Sequence, residues 1–295
     1  MTSTALTPPL EVSPRDYHTR LTLDRADIFS PQSYLSKSRL WELQNNSLYR
    51  WRYAPAEFTG SDAADWGSII DCLITTPDEL EDIIAVNTEF ENFRTKAARE
   101  WKADAKESGK IVCSTDELEA ANRAAHKIID NPIAGPLLEE SKKQVVLLNT
   151  IKGIQFKALV DIAPGGSTLV DLKTTNDLTP DGIARTIAKF GYHVQAALYL
   201  KLWNLCHPDQ PKDRFLFIWQ QSGSPYEVAV SELPTGDLHA GEDWILHQIN
   251  RLTRAAKSKK WPNIFDDKIA LIGRPAWAGI QDEETFDGLA TAPAA

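Results

Sequence analysis

The sequence predicts an α/β fold in which a helical N-terminal part leads into a strand-rich core closed by a long helix. Three features predict it. Residues 31–130 fall into helix-length segments with helix-start chemistry. Residues 154–175 hold two apolar β runs about a Pro-Gly-Gly turn. Residues 214–233 hold a second pair about Ser222-Gly-Ser-Pro225.

In chain order, residues 1 to about 30 read as a flexible lead with one short ordered piece. Ser33–Leu48 and Asp62–Ile74 read as helices, Glu79–Ala85 as a short helix and Phe90–Lys106 as a charged, exposed one. Thr115-Asp-Glu-Leu-Glu is a helix start, opening a helix to Asp130. Val145–Asn149 begins the sheet. Asp181–Leu205 is helical with a break near Gly191. Arg214–Gln221 and Tyr226–Leu233 pair as a hairpin, and Leu238–Lys260 is the final helix. The Ala/Thr/Asp-rich tail, residues 281–295, reads as disordered. At 295 residues, one large domain over 31–280 accommodates these elements: a helical part at 31–140, a sheet core at 141–235 and a C-terminal part at 236–280. The sequence carries no internal repeat.

The first hairpin holds the chemistry. Ile154, Phe156, Ala158 and Val160 alternate onto one face, leaving Gln155, Lys157, Leu159 and Asp161 on the other. Ala163-Pro-Gly-Gly-Ser167 supplies the turn. In the second strand Leu169, Asp171 and Lys173 share a face. With the turn centred on the glycines, Asp161 falls almost opposite Asp171. Two carboxylates converging on one point suit magnesium, which keeps several waters and takes few protein ligands. Lys173, on the same side, could orient a water or neutralise charge on phosphorus. The alternative is a surface hairpin with a solvated Asp-x-Lys pair. Downstream, Gln195 and Tyr199 are four residues apart on a predicted helix and so neighbour each other. They could bond a DNA phosphate or the metal-bearing loop; the alternative is a solvated glutamine beside an ordinary core-edge tyrosine.

Asp161…Asp171-x-Lys173 followed by Gln195-x-x-x-Tyr199 resembles the PD-(D/E)xK nuclease superfamily, and more closely its RecE-like branch of exodeoxyribonuclease VIII-type phage and prophage exonucleases. Leu35-Ser-Lys-Ser-Arg-Leu-Trp41 resembles that branch's S-x-S-x-L helix start. Trp66-Gly-Ser-Ile-Ile-Asp71 through Pro77 resembles its G-x-x-x-H-x-x-x-x-x-P helix, and Lys260-Trp-Pro262 with Pro275-Ala-Trp277 its C-terminal end. The resemblance implies a restriction-endonuclease-like core, a mixed central sheet flanked by helices. It implies a magnesium-dependent exonuclease, in which manganese can substitute. The substrate would be linear double-stranded DNA, degraded from the 5′-ended strand to leave 3′ tails for a single-strand annealing recombinase. Asp161, Asp171 and the Leu172 carbonyl would hold the metal, Lys173 would act on the attacking water, and Gln195, Tyr199, Ser36 and Ser38 would contact substrate. A homo-oligomer in a bacterial host's cytoplasm follows from the same resemblance. The chain departs from the branch twice. Asp71 replaces a histidine, and as a carboxylate can still be a ligand. The glutamate before the first strand corresponds most nearly to Gln144, with Glu139 and Glu140 just upstream. An amide there brings no charge, which leaves open a catalytically reduced DNA-end-binding or partner-binding protein, as well as a nuclease for other DNA structures.

Composition is compatible with these readings. Apolar residues make up 42% and charged residues 25%, as in globular proteins. A net charge of −9 argues against general coating of nucleic acid and requires basic residues to be confined to a groove. Arg251, Arg254 and Lys257-Ser-Lys-Lys260 are candidates for it; a solvated helix face is the alternative. The widely spaced Cys72, Cys113 and Cys206 exclude a CxxC zinc site and a four-cysteine iron–sulfur centre. They read as free thiols in a reducing cytoplasm. His18, His126, His207, His239 and His247 lack ligand-like spacing, and His193 reads as a helix-face residue. No signal peptide or membrane-spanning run is read.

Overall fold

A computed structural model describes residues 12–55, 62–266 and 268–275. The disordered-tail expectation and Trp277 lie outside these. Helix α1 (Pro14–Thr19) is capped by Ser13. The two-residue strand β1 (Tyr34–Leu35) precedes α2 (Lys37–Trp41) and α3 (Leu48–Tyr53). Next come α4 (Asp62–Thr75), α5 (Leu80–Ile83), β2 (Ile84–Asn87), α6 (Lys96–Glu107), β3 (Ile111–Ser114), α7 (Thr115–Ile129) and α8 (Ala134–Leu138). The core follows as β4 (Lys142–Ile151), β5 (Ile154–Ala163), β6 (Thr168–Thr175), α9 (Pro180–Phe190), α10 (Tyr192–Cys206), β7 (Arg214–Gln221), β8 (Val228–Glu232) and α11 (Thr235–Ser258). The fold is mixed α/β, as expected.

The central sheet runs β1-β5-β6-β7-β8, with β4 antiparallel along the other edge of β5. Strands β6 and β7 are parallel, joined by the α9–α10 crossover. Helices cover both faces. Phe156, Val160, Leu169 and Phe217 pack with Leu198 of α10 and Ile249 of α11; Ile162, Val170, Leu172 and Ile218 pack with Ile70 of α4 and Ala125 of α7. Helices α10 and α11 meet closely: a Cβ at Gly241 would stand 2.5 Å from the His193 carbonyl oxygen. Gly241→Ala is therefore expected to lower the melting temperature by on the order of 5 °C through overpacking. A thermal melt checks this.

Several elements differ from the sequence reading. Ser33–Leu48 is not one helix. Tyr34 and Leu35 pair in parallel with Gln155 and Phe156, and Ser36, in an extended conformation, caps a new helix by accepting from the Arg39 N–H. Glu79–Ala85 is one helical turn before β2, which pairs in parallel with β3, because Ile84, Val86, Ile111 and Val112 suit strands. The charged helix begins at Lys96, where Thr95 caps it, and not at Phe90. In the lead, Tyr17, Leu21 and Ile28 are buried, so residues 12–30 are packed against the rest.

Candidate active site

The site lies where one edge of β5 changes partner. That edge pairs with β1 at Gln155 and Phe156, and with β6 only at Ile162. Between them β5 and β6 diverge. The Ile162–Val170 register puts Asp161 opposite Asp171 at the mouth of this gap. Asp161 Oδ2 spans it, accepting the Leu172 N–H at 3.0 Å in place of a ladder bond. On the other edge, Val145 pairs with Val160 and Lys143 with Ile162, so Gln144 stands opposite Asp161. Its φ of 49° interrupts the ladder there. Gln144, Asp161 and Asp171 thus form one row across three strands.

Asp171 is 2% exposed. Its Oδ1 accepts from Gln195 Nε2 of α10, and the Lys173 ammonium lies against its Oδ2. Burial alone would depress Lys173, but the charge of Asp171, aided by Tyr192 and Asp161, outweighs it and raises the ammonium above its ordinary value. Asp71 arrives from α4. Gln144 Nε2 donates to its Oδ2 and to Thr75 Oγ1, each at 2.9 Å, while Asp71 Oδ1 is buried without a hydrogen-bond partner. Burial, then the charge of Asp171, pushes Asp71 up to about 6. Burial, then Asp171 and Asp71, raises Asp161 well above the carboxylate range. Three carboxylates therefore share one buried region in which Lys173 is the ammonium paired with Asp171. This uncompensated negative charge, with an orphaned Asp71 oxygen, fits a hard divalent cation. Among the described residues no three Asp, Glu, His or Cys side chains close on one point. The residues that could hold such a cation are Asp161, Asp171 and the Leu172 carbonyl, with Asp71 beside them.

Tyr199 lies one turn after Gln195, its phenol raised well above its ordinary value by burial, then by Tyr17, Asp171 and Asp161. Ser36 and Ser38 are placed elsewhere, on the wall of a cavity of about 630 Å³ that also includes Tyr17, Arg39 and Lys157 and none of the carboxylate row. The phenol of Tyr17 on this wall is raised by burial and then by the charge of Asp161. Glu140 is exposed in the turn before β4 and does not reach the site.

Sequence reasoning passed over Lys37 and Tyr192. Lys37 donates to the Phe190 carbonyl. Its ammonium lies 5.4 Å from the Tyr192 ring centre, and Lys173 lies 4.8 Å from the same ring. Burial, then the like charge of Lys173, lowers Lys37 to about 7. Tyr192 is held there by Gly191, whose φ of 63° ends α9 and starts α10, and where a Cβ would stand 2.6 Å from the Trp41 ring. Lys37 lies inside the Ser36-x-Ser38 segment, which was the only signal for it.

A family model described as a PDDEXK-like domain of unknown function (DUF3799) matches residues 54–268. The chain belongs to this family. The match takes in the whole carboxylate row and leaves Tyr17, Ser36 and Lys37 outside it. No curated protein matches the chain. Among solved structures, a putative exonuclease from Eubacterium rectale is 14% identical, with 92% of this chain and 98% of that one covered and a TM-score of 0.60. The two share a fold. A phage-related exonuclease from Haemophilus somnus 129PT is 12% identical over 64% of this chain and 99% of its own, with a TM-score of 0.31. An alkaline exonuclease from Laribacter hongkongensis is 15% identical over 66% and 95%, with a TM-score of 0.30. These last two superpose too loosely to add to the fold likeness. Among the described residues no helix is long and apolar enough to cross a membrane.

Proposed function

We propose that this chain is a magnesium-dependent exonuclease that hydrolyses the 5′-ended strand of linear double-stranded DNA and leaves 3′ single-stranded tails. Asp161 opposite Asp171, with Lys173 two residues on, carries the reading. The family's PDDEXK-like description and the exonuclease fold relative support it. When bound, the cation polarises the scissile phosphoryl group and lowers the pKa of a ligated water. Asp161, Asp171 and the Leu172 carbonyl would hold it. Gln195 fixes the Asp171 carboxylate by donating to Oδ1, leaving Oδ2 toward Lys173. Lys173 brings N–H donors to the attacking water and to the phosphoryl oxygens that gain charge. Ser36 and Ser38 face a cavity lined also by Arg39 and Lys157, where a phosphate of the strand can be held. Manganese substitutes as a hard cation. By the RecE-like resemblance, the 3′ tails pass to a single-strand annealing recombinase in a bacterial cytoplasm, and the working form is a homo-oligomer.

One observation favours a second reading, a DNA-end-binding protein with reduced catalysis. Gln144 occupies the row position opposite Asp161 and brings an amide, bonded to Asp71, in place of a charge. Linear duplex labelled at either end, incubated with magnesium, separates the two. Loss of 5′ nucleotides, abolished by chelation and by Asp171→Ala, is expected. End binding without cleavage in magnesium or manganese would establish the second reading.

A further inference from the structure

We propose that the outer face of α3, with the Lys-rich end of α11 beside it, is a stacking platform for unpaired bases of single-stranded DNA. The inference rests on the nuclease reading for the identity of the strand and on its own observations for the surface. Tyr49 and Tyr53 are 54% and 55% exposed, one helical turn apart, with ring centres 4.8 Å from each other. Between them Trp51, at 1% exposure, serves the core. Two large rings lie side by side with about half of each residue's surface in water. They offer π-faces on which bases stack irrespective of sequence.

The surface is rigid and cationic. Trp261 stacks on Trp51 at 6.2 Å, and the Tyr49 N–H donates to the Pro262 carbonyl at 3.0 Å, tying α3 to the segment after α11. The Arg52 guanidinium lies over both Tyr53, at 5.0 Å, and Trp261, at 5.7 Å. Segments 47–55 and 254–261 hold Arg50, Arg52, Arg254, Lys257, Lys259 and Lys260 and no carboxylate, in a chain of net charge −9. That local excess of positive charge among aromatic rings is what a nucleic-acid backbone with exposed bases requires.

Helix α3 also borders a cavity that shares lining residues with the one holding Ser36 and Ser38. The 630 Å³ cavity includes Arg25 and Glu42 in its lining. The same two residues line a second cavity of about 190 Å³ that ends at Arg50 and Trp51. Arg25 bridges them, pairing with Glu42 at 2.7 Å.

The test is binding of a labelled oligothymidylate to the full chain in chelator, where nothing is hydrolysed, read by fluorescence anisotropy. The unaltered protein is expected to bind it, and the double variant Tyr49→Ala/Tyr53→Ala to bind about tenfold more weakly or worse, ~1.4 kcal/mol or more. Tyr49→Phe/Tyr53→Phe, which keeps the rings, is expected to bind like the parent. An abasic oligonucleotide of equal length is expected to bind the unaltered protein as weakly as oligothymidylate binds the alanine variant. Equal binding of the abasic and thymidylate strands would overturn the platform, and so would a folded alanine variant with unchanged affinity. Polyglutamate displacing the oligonucleotide from the tyrosines equally well would also overturn it, in favour of an acidic protein partner. The abasic arm needs no variant and decides even if the alanine variant misfolds. Duplex cleavage without oligonucleotide binding would sink the platform alone. Ring-dependent binding without cleavage would sink the nuclease reading alone.

Discussion

Replacing Asp161 by asparagine is expected to abolish strand hydrolysis while raising the melting temperature of the metal-free protein. Asparagine keeps the acceptor that takes the Leu172 N–H and removes one of three mutually repelling charges. The sign follows from proton linkage. A carboxylate whose folded pKa is raised binds more protons folded than unfolded, so its contribution to stability is full at low pH and is lost as pH rises through the folded value. For Asp71, raised to about 6, the loss falls between roughly pH 4 and 6 and is on the order of 2–3 kcal/mol. The parent in chelator should thus melt at falling temperature across that window. Asp161→Asn should flatten the fall at higher pH, because Asp161, itself raised by burial and by Asp171 and Asp71, no longer contributes a loss of its own. Magnesium should raise the parent's melting temperature by mass action and raise that of Asp161→Asn much less. Cleavage by the variant should drop by at least about 10²–10³-fold. A variant that melts lower than the parent in chelator, or responds to magnesium as the parent does, would remove Asp161 from the ion's ligands.

This tension between stability and chemistry was partly legible in the sequence. The Pro-Gly-Gly turn and the period-two alternation on either side place Asp161 and Asp171 in one row, as the Ile162–Val170 register does. The four-residue spacing of Gln195 and Tyr199 places both on one face of α10, and Gln195 reaches Asp171. Other parts had no local signal. Strand β1 is two residues long and is buried in a run of helix-compatible residues, so only its pairing with β5 reveals it. Strands β2 and β3 are four residues each, too short for a period to stand out against the adjacent helices. Gln144 meets Asp161 only if β4 starts at Lys142, and its left-handed φ hides that start. Tyr17 approaches the site through packing of the N-terminal residues over the sheet, a contact between segments far apart in the chain, while Asp71 and Lys37 were signalled only by the motif segments that contain them.

Lys173→Met is expected to be the site variant the fold tolerates least. Asp171 is 2% exposed, and among the described residues the Lys173 ammonium is its ion-pair partner. Gln195 satisfies Oδ1 alone. Removing one partner of a buried ion pair leaves the other as an uncompensated charge, which costs about 3–5 kcal/mol. Neutralising both, as in Asp171→Asn/Lys173→Met, should recover most of that loss, since asparagine can still bond Gln195 and no charge remains buried. The double-mutant cycle should therefore give a strong coupling energy in chelator, measured by denaturant unfolding. Magnesium should restore part of the stability of Lys173→Met, because a cation beside Asp171 does what the ammonium did. It should restore none to the double variant, which lacks the carboxylate. Hydrolysis behaves differently, because Lys173 brings its donors to the reacting water and phosphate as well as its charge to Asp171. Lys173→Met with magnesium should thus be folded and inactive. A folded variant that still cleaves would reduce Lys173 to a counterion. A variant as stable as the parent in chelator would mean that the buried Asp171 does not depend on the Lys173 charge.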